Sequence, residues 1–150
     1  MRIAIAADHA GWPLRERALA DIAALGHEVV DCGPAAAVPG DDYPDRAAAV
    51  CRAVVSGQAD RGVVICGSGV GATVACNKIT GIRACLCHDT FSARQGVEDD
   101  SMNVLCLGAR IIGVELASEL MRAFVRAEFS GEPRHKRRLA KVEEIERLRS

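Results

Sequence analysis

The stretch VVICGSGVGATVACNK, residues 63–78, ends an apolar run at Cys66 and follows it at once with Gly67, Gly69 and Gly71. Glycines at alternate positions let backbone N–H groups converge, and at the mouth of a helix such a loop can receive a small oxyanion. A cysteine bordering that electropositive hollow has thiolate available near neutrality, ready for acid–base or nucleophilic work on an anionic substrate. Other readings compete. As a P-loop the run fails, because no Lys-Ser or Lys-Thr follows the glycines at the required distance. As a dinucleotide fingerprint it passes in form: Gly67, Gly69 and Ala72 fit G-x-G-x-x-[G/A], and Asp89 follows about 20 residues on. Against a dinucleotide-binding module stand the motif's place after the third strand, a helix that ends early at Gly81, and the lack of chain for a separate substrate domain. The plainest alternative makes Cys66 an inert small hydrophobe at a strand end.

Such residues act only if a scaffold holds them, and here short apolar runs alternate with amphipathic stretches. RIAIAA reads as a strand, and Trp12 to Leu25 as a helix closed by Gly26. HEVVDC is strand-like, and Tyr43 to Ser56 is helical with Gly57 as its stop. GVVIC is a strand, Val70 to Lys78 a short helix, IRACLC a strand, Ser92 to Glu98 a weak helix, NVLCLG a strand and Val114 to Phe129 a long helix. A terminal helix is expected from about residue 134. Alternating strands and helices imply βαβ units, hence a parallel sheet covered on both faces. The expected fold is α/β: a three-layer α/β/α sandwich with a Rossmann-like five-stranded parallel sheet, formed by residues 1–150 as one domain. In such sheets ligands collect at the carboxyl ends of the strands. The residues at those ends are Asp8 and His9, Gly33, Cys66 and Gly67, His88 and Asp89, and Gly108 with Arg110.

Composition narrows the function. Lys plus Arg total 19 against 20 for Asp plus Glu, so no global basic field draws this chain to nucleic acid, and any anion site must be local. The seven cysteines form no C-x-x-C pair, which argues against a disulfide scaffold or zinc site. No apolar stretch reaches the roughly 18 residues of a membrane span, and MRIAIAAD is too short for a signal sequence. A cytoplasmic protein without membrane partners is expected.

Read together, AADHAG at the first strand end, DDYPD before the second helix, CGSGVGATVACNK, GIRA, NVLCLGARIIG and the terminal RHKRR resemble, in order and spacing, the type B ribose-5-phosphate isomerases. Relatives of that family include allose-6-phosphate isomerase and the galactose-6-phosphate isomerase subunits. The resemblance covers essentially the whole chain. It implies interconversion of a phosphorylated aldose and ketose, most directly ribose 5-phosphate and ribulose 5-phosphate, through a cis-enediolate and without metal or cofactor. It further implies that Cys66 moves a proton between C2 and C1. The backbone N–H groups of Gly67, Gly69, Val70 and Gly71 would stabilise the enediolate oxygen, and Ser68 would aid ring opening. By the same resemblance Asp8 contacts sugar hydroxyls, Tyr43 lines the pocket, Asn103 sits near the reacting end, and His9, Arg110, Arg134 and Arg138 hold the phosphate. Arg134 and Arg138 are four apart, so a helix presents them on one face. The family forms homodimers, often paired into tetramers, with sites shared between chains.

One departure bears on substrate. The family's loop after the fourth strand usually brings a histidine that helps to open the furanose ring, whereas RQGVEDDSMNV holds none and places Asp99 at that position. An aspartate is ordinarily a poor proton donor near neutrality. Ring opening then falls to Asp99 or its neighbour Asp100, or to His88. Alternatively the substrate needs no opening, as with a four-carbon sugar such as erythrose 4-phosphate.

Overall fold

The computed structural model describes residues 1–148. Strands and helices follow in the order β1 (Arg2–Ala7), α1 (Trp12–Ala24), β2 (Glu28–Asp31), α2 (Tyr43–Val55), β3 (Arg61–Cys66), α3 (Val70–Cys76), β4 (Ala84–Leu86), α4 (Thr90–Asp100), β5 (Val104–Gly108), α5 (Val114–Arg126) and α6 (Pro133–Arg147). The sheet order is β2-β1-β3-β5-β4, and every pairing is parallel. The three-layer sandwich expected from the alternation is therefore the observed fold.

The two faces of the sheet are unlike. Ile3, Ile5, Val63, Ile65, Leu105 and Leu107 pack against α1, α4 and α5. Ala4, Ala6, Val64, Cys66 and Cys106 pack against α2 and α3. This alternation is the period-2 geometry of strands buried on both faces. Smaller side chains on the second face bring its helices close: a Cβ on Gly62 would lie 2.4 Å from Val50 Cγ1. Helix α5 shows the matching helical period, burying Ala117, Leu120, Met121, Phe124 and Val125.

Strand order determines where a crevice opens. The loops leaving β1 and β5 feed helices on one face, while the loop leaving β3 feeds α3 on the other. Chain paths that part to opposite faces leave a hollow outside the carboxyl ends of their strands. Here that hollow lies at the end of β3, at Cys66.

Among the boundaries that differ from the periodicity, two have a clear local cause. Helix α4 starts at Thr90, because the Asp89 side chain accepts a hydrogen bond from Ser92 N at 2.7 Å and caps it. That bond holds the Asp89 carboxyl below its ordinary pKa. Helix α5 stops at Arg126, where Ala127 turns extended and lets Arg61 donate to the carbonyl oxygens of Phe124 and Ala127. Helix α6 folds back along α4, with His135 as its one buried residue among those described and Glu146 accepting Gly81 N–H at 3.0 Å near its far end.

Gly11 tests the closeness of this packing. A Cβ there would lie 2.1 Å from the Ile65 carbonyl oxygen, a backbone atom that cannot swing away. Gly11→Ala is expected to lower the unfolding free energy by about 1–3 kcal/mol, read from the urea midpoint. An unchanged midpoint would show that α1 does not press on β3 as described.

Candidate active site

Cys66 ends β3 with 4% of its surface exposed, its side chain on the α2/α3 face. The chain turns back over it, so that Gly69 N–H donates to Cys66 Sγ at 3.1 Å. That return needs φ of +80° at Gly69, and a Cβ there would sit 2.4 Å from Leu86 Cδ1 and 3.0 Å from the Leu107 carbonyl carbon. Glycine is required on both counts. Helix α3 begins immediately, with Thr73 N–H bonding Gly69 O at 3.0 Å. The N–H groups of Gly71 and Ala72 precede that first bond and have no intrahelical acceptor. Val70 N–H turns to Ser68 Oγ at 3.3 Å.

Three neighbouring strand ends wall this loop. From β5, Ala109 N–H bonds Cys66 O and Arg110 N–H bonds Gly67 O, both at 2.9 Å. The exposed Arg110 side chain lies over Gly67, where a Cβ would be 3.6 Å from the guanidinium carbon. From β4, His88 Nε2 accepts Gly108 N–H at 3.2 Å, which gives this histidine a bracing role in its own chain. From β1, Asp8 is 4% exposed, and its Oδ1 accepts N–H bonds from Ala10 at 2.9 Å and Gly11 at 2.8 Å. Asp8 N–H also bonds Ile65 O at 3.1 Å, which locks the β1 end beside Cys66.

The last wall comes from the irregular loop before α2. Arg46 grips Asp41 through Nε at 2.8 Å and Nη2 at 3.1 Å, and His9 Nδ1 donates to Asp41 O at 3.1 Å. Those bonds seat Tyr43, the first residue of α2, against the glycine loop. A Cβ on Gly71 would lie 2.7 Å from Tyr43 Cζ. One chain thus gathers Asp8, His9, Tyr43, Cys66, Ser68, the loop from Gly67 to Gly71, and Arg110. The arrangement offers a thiol base, backbone donors and a guanidinium with no ion-pair partner among the described residues.

Four expected residues lie elsewhere. Asn103 was expected near the reacting end, but it precedes β5 at the opposite end of the sheet. There its Nδ2 donates to Gly81 O and its Oδ1 accepts Arg83 N–H, both at 2.8 Å, so it splices the entries of β4 and β5. Asp99 stands in the last turn of α4, whose 11 residues span about 16 Å back to the amino ends of the strands. Arg134 and Arg138 lie on α6, Arg134 paired with Glu132 at 3.0 Å. None of these reaches Cys66 of its own chain.

His135 was not singled out by sequence pattern. It is 3% exposed, with Nδ1 2.6 Å from Ser130 Oγ and Nε2 3.4 Å from Asp99 Oδ1. Gln95 Nε2 donates to the other Asp99 oxygen at 2.6 Å. A cavity of about 870 Å³ lies nearby, between α6 and the β4 edge, lined by Lys78, Arg83, Cys85, Leu139, Val142 and Ile145 among others. A hydrogen bond from the Cys87 thiol draws the exposed Cys85 thiol below its ordinary pKa. Alkylation would therefore strike Cys85 readily and is a poor probe of Cys66. No group of three His, Cys, Asp or Glu among the described residues has the geometry to hold a metal ion. No helix among them is long and apolar enough to cross a membrane. Asp89, the acid of the dinucleotide fingerprint, serves instead as the cap of α4.

Comparison with known proteins bears on this geometry. A family model described as Ribose/Galactose Isomerase matches residues 3–142. Ribose-5-phosphate isomerase B of Escherichia coli is 38% identical over 149 residues, 99% of each chain. D-erythrulose-4-phosphate isomerase of Pectobacterium atrosepticum is 38% identical over 131 residues, 87% of this chain and 86% of that one. Among solved structures, ribose-5-phosphate isomerase B of Clostridium thermocellum superposes with a TM-score of 0.95 at 41% identity, covering 100% of both chains.

Gly108 offers a test of the pocket floor, since a Cβ there would lie 2.5 Å from Ser68 O, backbone against backbone. Gly108→Ala is expected to displace the loop and lower isomerase kcat on the order of 10²-fold, more than its effect on Tm accounts for. Full activity in this variant would show that Ser68 does not need its observed position.

Proposed function

The chain belongs to the ribose/galactose isomerase family, a sugar phosphate isomerase by kinship and fold, and on that premise we propose that it interconverts ribose 5-phosphate and ribulose 5-phosphate with Cys66 as the base. The observation that carries the reading is the Cys66 sulfur, held by Gly69 N–H at 3.1 Å beside a helix start where the Gly71 and Ala72 N–H groups have no intrahelical acceptor. Cys66 takes the C2 proton of the open-chain aldose, negative charge develops on the carbonyl oxygen, and loop N–H groups meet that charge where it appears. Returning the proton to C1, while the O2 hydroxyl proton passes to the O1 oxyanion and C2 becomes the carbonyl carbon, completes the ketose, and a thiol can be tuned for both halves of the carbon-to-carbon transfer. Arg110 and His9 bind at the periphery, where a phosphate supplies binding energy remote from the chemistry.

The proposed site is shared between two copies. Asp99, Arg134 and Arg138 stand at the amino-end side of the sheet, so a second chain must bring its own set to the Cys66 pocket if they act there. Apolar side chains around the pocket support such a cover: Val70 and Val74 on α3 and Ile111 beyond β5 are 53%, 56% and 61% exposed. On this reading Asp99 of one copy opens the ring over Cys66 of the other, and Arg134 with Arg138 completes the phosphate site.

A second reading, favoured by Asp99 in place of the family's histidine, is a four-carbon substrate. A tetrose phosphorylated at O4 cannot close a furanose and needs no ring-opening group. The resemblance to the D-erythrulose-4-phosphate isomerase supports it.

Cys66→Ala is expected to lower kcat by a factor on the order of 10² to 10⁴ with the fold intact. Arg138→Ala is expected chiefly to raise KM. Mixing the two proteins at a substrate concentration well below the raised KM should restore part of the activity through hybrid sites, and exchange of subunits without recovery would refute the shared site.

Asp99 separates the two substrates. If it opens the ring, Asp99→Asn lowers ribose 5-phosphate turnover at least tenfold, as general acid–base catalysis requires, and spares erythrose 4-phosphate. If the substrate is a tetrose, the unaltered protein prefers erythrose 4-phosphate in kcat/KM and Asp99→Asn changes neither rate.

A further inference from the structure

His135 is the buried titratable side chain that the mechanism above leaves unused. It belongs to α6, yet its ring is directed into a polar chain that crosses to α4. Glu132 N–H donates to Ser130 Oγ at 3.3 Å, and Ser130 Oγ lies 2.6 Å from His135 Nδ1. With Glu132 on one lone pair, the Ser130 hydroxyl still has its hydrogen to give, and giving it to Nδ1 leaves Nδ1 as the acceptor. An imidazole that accepts at Nδ1 carries its hydrogen on Nε2, the nitrogen that faces Asp99 Oδ1 at 3.4 Å. Gln95 donates to Asp99 Oδ2 at 2.6 Å, so one carboxylate oxygen is hydrogen-bonded and the other stands in electrostatic contact with the His135 ring. Ser130 N–H, bonded to Glu98 O at 2.9 Å, ties the start of this chain to the same turn of α4.

We propose that His135 is a positioning residue for Asp99, the group that aims the carboxylate at a sugar ring bound across the subunit contact. The proposal rests on the shared-site isomerase reading and deepens it. A carboxylate at a helix end has free χ rotation, and a base must lie within hydrogen-bond reach of the hydroxyl it deprotonates. Here Gln95 and His135 address one oxygen each, leaving the remaining lone pairs pointed in a set direction. His135 also lies between Arg134 and Arg138 in sequence, so the same contact keeps the ring-opening carboxylate and the phosphate-binding helix as one body. Where the family uses an imidazole at the end of α4, this chain places a carboxylate there and an imidazole behind it.

The test uses the full-length protein with two substrates. His135→Leu removes the donor, and ribose 5-phosphate kcat is expected to fall about 10- to 100-fold, the scale of a misplaced catalytic group. Its KM should stay within about twofold, and so should erythrose 4-phosphate turnover, on the same argument that a group not used for a substrate leaves its rate alone. His135→Gln, whose amide nitrogen can stand near the position of Nε2, should restore most of the lost rate. A role confined to docking α6 would instead raise KM for both sugars together, because Arg134 and Arg138 would move with the helix, and that result overturns the proposal. Equal losses of kcat on both substrates, or no rescue by His135→Gln, also overturn it. Should the unaltered protein isomerise neither sugar, the isomerase reading itself fails; should Asp99→Asn keep full ribose 5-phosphate turnover, the role of Asp99 fails while Cys66 stands.

Discussion

In a sheet whose strands all run the same way, every loop that follows a strand lies at one end and every helix returns the chain to the other. This polarity governs the whole site. Residues just past β1, β3 and β5 converge without effort, because parallel register places Cys66 beside Gly108 and the start of the Asp8 turn beside Ile65. Residues in the last turn of α4 are carried about 16 Å away, and no rotamer change spans that distance. A single chain therefore holds a thiol beneath a glycine loop at one end, and the Asp99 carboxylate against α6 at the other. Either the second group serves another purpose, or a symmetric partner brings it round. An isologous contact achieves the latter for two sites at once, since each copy offers what the other lacks.

Close packing makes the carboxyl-end half of the site rigid. Gly11, Gly69, Gly71 and Gly108 each stand where a methyl group would strike a neighbour, respectively the Ile65 carbonyl, Leu86, the Tyr43 ring and the Ser68 backbone. The glycines matter less for flexibility than for the closeness they allow. Because the contacts of Gly11 and Gly108 are backbone to backbone and those of Gly69 and Gly71 are to the packed side chains of Leu86 and Tyr43, the loop around Cys66 has one close-packed position. The site's polar tethers have the same character: Asp41 is gripped by Arg46 and His9, and Asp8 is engaged by two N–H groups.

The cysteines show how environment assigns function among identical side chains. Cys51, Cys76 and Cys106 are fully buried in the layer between the sheet and α2/α3, where they act as small hydrophobes. Cys85 is an exposed free thiol on the β4 edge whose hydrogen-bond partner is the Cys87 thiol. Cys66 alone among the described thiols accepts a hydrogen bond from a glycine-loop N–H. The difference is position on the sheet and not residue type.

Much of this was legible without coordinates. The alternation of apolar runs and amphipathic stretches specified five strands, their parallel sense and the two-sided cover, because burial on both faces leaves an unmistakable apolar pattern. The order of motifs located Cys66, the glycine loop, Asp8, Tyr43 and Arg110 at strand ends or helix starts, where local chemistry and chain direction coincide. Strand order was not legible, since a crossover of either length satisfies the same local pattern. The position of Asn103 was not legible for a related reason: a residue just before β5 reads much like one in the loop that feeds a site, yet chain direction puts it at the far end of its own chain, bonded to Gly81 and Arg83. His135 was invisible because one imidazole in RHKRR carries no periodic signal, and its partners Asp99 and Ser130 come together only when α6 folds back on α4. Local sequence determined which groups exist and which element carries each. Only the tertiary structure decided which of them meet, because direction in space is set by strand order and packing over the entire chain.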